Sequence, residues 1–112
     1  SPEEFEGEQL FKEYDTFYLY QKGASIEEIA SLLSIVPGTV VDRLLKEHKA
    51  GKEVRLDDLF KKELEEEILS TIRDLKTDKL RPIRDALLQK GHQVEYTDLK
   101  VVFYKHFAIY KK

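Results

Sequence analysis

The stretch Ser25-Ile26-Glu27-Glu28-Ile29-Ala30-Ser31-Leu32-Leu33-Ser34-Ile35-Val36-Pro37-Gly38-Thr39-Val40 decides how this chain folds. Its first four residues are a capping box: the Ser25 hydroxyl accepts from the Glu28 amide, and the Glu28 carboxylate reaches back to the Ser25 amide. A helix therefore starts at Ile26, with Ile26, Ile29, Ala30 and Leu33 on one side. It ends around Ser34, and Pro37 stands where a first-turn proline opens the next helix. Val40, Leu44 and Leu45 carry the apolar side of that second helix toward Gly51. The turn runs through Ser34, Ile35 and Val36, and Ala30 is small enough to let the two helices approach. Branched apolar residues lock the second helix onto the first, so the pattern predicts a helix-turn-helix.

Working outward, Leu10, Phe11, Tyr14, Phe17, Tyr18 and Gln21 fall mostly at helical spacing and predict a helix from Glu8 that stops at Gly23. Residues 1–7 carry three glutamates and read as a flexible leader. Downstream, Val54, Leu56, Leu59 and Phe60 suggest one helical turn around Asp57 to Phe60. Leu64, Ile68, Ile72 and Leu75 predict a long helix over 63–75, with Glu65, Glu66 and Glu67 on its wet side. Leu80, Ile83, Leu87 and Leu88 predict a further helix ended by Gly91. Leu99, Val102, Phe103, Phe107 and Tyr110 mark a last one over 96–110. The expected fold is all-α, with six helices and one short helical turn. A trihelical helix-turn-helix unit over 8–51 precedes about three more helices over 52–112, packed as one compact domain in preference to two small trihelical units.

Composition narrows the functional classes. Of 112 residues, 41% are hydrophobic and 37% charged, a globular mixture. No apolar run nears the roughly 18 residues of a spanning helix, and no signal peptide is visible, so no membrane partner is expected. The absence of cysteine excludes disulfides and thiolate metal sites and suits a reducing compartment, the cytoplasm by default. The absence of methionine fits a piece of a longer polypeptide. The net charge of -3 conceals an asymmetry: residues 1–69 hold 9 Lys/Arg against 17 Asp/Glu, residues 70–112 hold 10 against 5. Phosphate contact should favour the later part.

Base edges demand hydrogen-bonding partners. At the start of the second helix of the motif, Val36, Pro37, Gly38, Thr39, Val41 and Asp42 are expected to face outward, and only Thr39 and Asp42 offer a polar side chain. Arg43 and Lys46, one turn on, are candidates for backbone phosphates. Val36, Pro37 and Val41 instead suit contact with a protein. Lys76, Lys79, Arg81, Arg84 and Lys90 surround the start of a later helix whose free amides also favour an anion, and Lys105, His106, Lys111 and Lys112 extend the positive charge. The plainer reading of such a run is a solvated charged face. Tyr14, Phe17, Tyr18, Phe103 and Phe107 are read as core. His48, His92 and His106 lack metal-ligand spacing, and neither a phosphate loop nor a nucleophile turn is present. The chain reads as a binding module with no catalytic, cofactor or metal site and no small-molecule substrate.

The run from Thr16-Phe17 to Gly23, with Ile26, Ile29-Ala30, Thr39-Val40, Leu44, Gly51 and Val54-Arg55-Leu56-Asp57, resembles the helicase helix-turn-helix domain at the C-terminus of RecQ-family ATP-dependent DNA helicases. The similarity continues through Ile68, Ile72, Leu80 and Ile83, covering about Phe11 to Phe107. It implies a parent enzyme that unwinds DNA in repair and recombination using ATP and Mg, with this domain as an accessory that contacts DNA weakly or docks on the parent's other domains. In a bacterial cell it would be nucleoid-associated. None of the parent's motor residues lies in this chain.

Overall fold

A computed structural model describes residues 15–111, all-helical where it is regular. Among the described residues there are six α-helices: α1 Thr16–Gln21, α2 Ile26–Leu33, α3 Pro37–Lys49, α4 Glu65–Leu75, α5 Leu80–Gln89 and α6 Tyr96–Phe107. Short 3-10 turns occupy Leu56–Asp58 and Lys62–Leu64. The residues divide into two compact units, one ending at Val54 and the other starting at Arg55.

In the first unit each helix is stopped and restarted by local chemistry. Asp15 caps α1, its Oδ1 accepting from the Tyr18 amide at 3.1 Å. Gly23 ends it at φ +95°, a conformation in which a Cβ would strain the backbone. The capping box forms: Glu28 N–H donates to Ser25 Oγ at 3.1 Å, and Ser25 N–H to Glu28 Oε1 at 3.1 Å. Ser34 closes α2 in the left-handed conformation at φ +54°, and the Ile35 amide returns to the Ala30 carbonyl at 3.0 Å. Pro37 is the first residue of α3, and Lys46, His48 and Lys49 sit in its last turn, beside the negative end of the helix dipole. The proposed helical residues Leu10, Phe11 and Tyr14, the 1–7 leader and Lys112 lie outside the described residues.

α3 packs against both α1 and α2, which requires two adjacent apolar rows. Val40 with Leu44 forms one row and Val41 with Leu45 the other, all four buried. The expectation that Val41 faces outward is therefore corrected: it is 2% exposed. Ile29 and Ala30 complete this core, in which each fully buried Leu or Ile contributes about 2 kcal/mol. At the start of α1, Thr16 is buried and its Oγ1 accepts from Arg43 Nη1 at 3.3 Å, pinning α1 to α3.

In the second unit α4, α5 and α6 pack on one another around Leu59, Phe60, Ile68, Ile83, Leu87, Val94, Leu99, Val101, Val102 and Phe103. Leu75, Leu88 and Phe107, expected inside, are exposed at 43%, 37% and 47%. All three sit in the last turn or so of their helices, where packing ends. Conversely, Glu65 and Asp98 are buried. Asp98 is satisfied by backbone: Oδ1 accepts from the Lys61 amide at 2.9 Å, Oδ2 from the Glu95 amide at 2.8 Å. Lys61 Nζ also donates to the Gln93 carbonyl at 2.7 Å, so the segment before α4 is tied to the start of α6.

Candidate nucleic-acid interface

The exposed start of α3 is apolar. Val36 is 66% exposed, Pro37 is exposed, and Leu32 at the end of α2 is 54% exposed. Thr39 and Asp42 are half-buried. Leu32 is not among the expected contacts, although it falls off the Ile29–Ala30–Leu33 stripe and stands one residue before the helix gives way to the turn at Ser34. Arg43 is exposed but spends one nitrogen on Thr16, and Lys46 is exposed one turn further on. From Val36 to Asp42, only Thr39 and Asp42 could hydrogen-bond a base edge through a side chain.

The basic residues of the second unit separate into two groups. Lys76, Lys79, Arg81 and Lys90 are exposed, with no ion pair among the described residues. Lys79 caps α5 and Arg81 lies in its first turn, while Lys76 and Lys90 close α4 and α5. Arg84 is half-buried and engaged: its Nε donates to the Val94 carbonyl at 3.0 Å, its Nη2 stands 3.9 Å from Glu95 Oε2, and its Cζ lies 4.9 Å from the centre of the Tyr96 ring. Lys111 pairs with Asp78 at 3.3 Å and lies over the Phe103 ring.

Lys105 belongs to an internal cluster. Its Nζ donates to Asp57 Oδ1 at 2.7 Å and to Glu65 Oε2 at 2.6 Å. His106 Nε2 is 2.9 Å from the same Glu65 oxygen, and Lys62 pairs with the other. Burial pushes the Glu65 carboxyl upward, but the hydrogen bonds from Lys105, Lys62 and His106 together outweigh it and hold the group at about 2, against an ordinary 4.5. The bonds to Asp57 and Glu65 raise Lys105 above its ordinary 10.5. Lys105, expected to extend a basic surface, is instead paired with Asp57 and Glu65, and Glu65, expected on a wet face, is buried. Three consecutive glutamates in a helical repeat give no hint that one of them turns inward.

Divided where the structure divides it, the chain carries 6 Lys/Arg against 11 Asp/Glu up to Val54 and 13 against 11 from Arg55. The second unit is thus mildly basic overall, and its unpaired positive charge gathers on α5 and the segments flanking it. Among the described residues no group of His, Asp or Glu side chains could hold a metal ion, and no helix is long and apolar enough to cross a membrane. Residues 12–103 match a family model described as a helix-turn-helix domain. No curated protein and no solved structure matches the chain.

Proposed function

The chain belongs to this helix-turn-helix domain family, and on that premise we propose that it is a non-catalytic accessory domain of a RecQ-type DNA helicase, which helps hold DNA weakly and without reading its sequence. ATP and Mg would serve the motor of that parent enzyme, in the cytoplasm or on the nucleoid. The observation that carries the reading is the disposition of charge: Lys76, Lys79, Arg81 and Lys90 are solvent-exposed and uncommitted on and around α5, while the start of α3 offers mostly apolar groups. Phosphate contact needs only the former, base readout needs what the latter lacks. Fluorescence anisotropy with single-stranded, forked and duplex DNA should show binding at low salt that falls steeply as salt rises. No binding to any of the three at low salt would sink the proposal.

The exposed Leu32, Val36 and Pro37 favour a second reading, in which the helix-turn-helix docks on another protein or on another domain of its parent. Val36→Asp should then weaken that association while the helical content, read by circular dichroism, stays unchanged. Unaltered association would remove this surface from consideration.

A further inference from the structure

We propose that Tyr96, braced by Arg84, is a stacking surface for an unpaired base, so that the second unit binds single-stranded DNA in preference to duplex. The proposal rests on the DNA-binding reading above and deepens it to a strand class. Tyr96 is the first residue of α6 and is 39% exposed. The Arg84 guanidinium covers part of the ring from α5, at 4.9 Å, and is itself fixed by its 3.0 Å bond to the Val94 carbonyl. The ring is therefore held in place on a residue that keeps over a third of its surface exposed.

The surroundings suit a nucleotide. Arg81 precedes Arg84 by three residues on α5, which makes them neighbours on the helix surface, and Arg81 is exposed with no ion pair among the described residues. The present acidic partner of Arg84, Glu95, is 62% exposed at its side chain and stands 3.9 Å away. That distance is too long for a strong bond, so a phosphate oxygen can take its place. Every base has a π-face, so one ring with the Arg84 guanidinium against it accepts any unpaired nucleotide. In a duplex the bases already stack on each other and their faces are closed to the ring. The same arginines still meet a duplex backbone, so only the added stacking contact separates the two.

Anisotropy of the full chain with a labelled oligothymidylate of about twelve nucleotides and with a blunt duplex of similar length would test this. Tyr96→Ala should weaken single-strand binding about tenfold and leave duplex binding unchanged, while Tyr96→Phe keeps both. Tyr96→Leu retains an apolar side chain without a π-face and should behave like Tyr96→Ala, which covers the case in which the smaller side chain disturbs the fold. Equal loss on both DNAs, or no loss with Leu, would overturn the stacking role and leave the basic-surface reading standing. Absence of binding by the unaltered protein would overturn both.

Discussion

Glu65 shows how much one side chain can depart from its pattern. It opens α4 in a run of three glutamates, yet it turns inward and collects Lys62, Lys105 and His106. Its carboxyl is held at about 2 in the folded protein against an ordinary 4.5, so the folded state favours the charged form more strongly than the unfolded chain does. The stability this contributes is present above pH 4.5 and is lost as the pH falls toward 2. Urea unfolding followed over that range should show a falling midpoint, and Glu65→Gln should flatten the fall. At neutral pH the same substitution should lower stability by about 2 kcal/mol, because Lys105 and Lys62 lose a charge-assisted partner. Asp57, which remains on Lys105, keeps the loss from being larger.

At the scale of elements, the boundaries were legible and the faces were less so. Ser25, Glu28, Pro37 and Gly23 carry chemistry that acts within one turn of the chain, so α2, the start of α3 and the end of α1 stand where the residues predict. Val41 was misassigned because facing is set by the number of neighbours a helix must meet, and α3 meets two. Val41→Ala should therefore cost about 2 kcal/mol in chemical denaturation, and Val41→Asp should leave the first unit unfolded, as measured by loss of the helical circular dichroism signal. A milder substitution works in the opposite direction. Ser34 holds φ +54°, which is unfavourable for any residue with a Cβ, so Ser34→Gly should raise stability by about 0.5–1 kcal/mol. The candidate site was legible where it lies on exposed, uncommitted residues such as Lys79 and Arg81. It was not legible at Lys105 and Glu65, whose partners stand 40 residues apart in sequence: pairing at that range depends on the packing of α4 against α6.

Across the whole molecule, positive charge has two separate uses. Lys79 and Arg81 are open to solvent, whereas Lys105 and Lys111 are internally paired. Replacing Lys79 and Arg81 together by Ala should reduce the salt dependence of DNA binding by about two in the log–log slope. Lys105→Ala should leave that slope unchanged and lower the thermal midpoint instead. Paired amines also differ chemically from open ones. Acylating reagents attack only the neutral amine, and the carboxylates of Asp57 and Glu65 keep the Lys105 ammonium protonated well past its ordinary value. Brief treatment with an N-hydroxysuccinimide ester, followed by peptide mass spectrometry, should thus modify Lys76, Lys79 and Lys90 long before Lys105. A fluorophore introduced through lysine would consequently fall in part on the proposed DNA-binding surface and mask it, so the label belongs on the oligonucleotide.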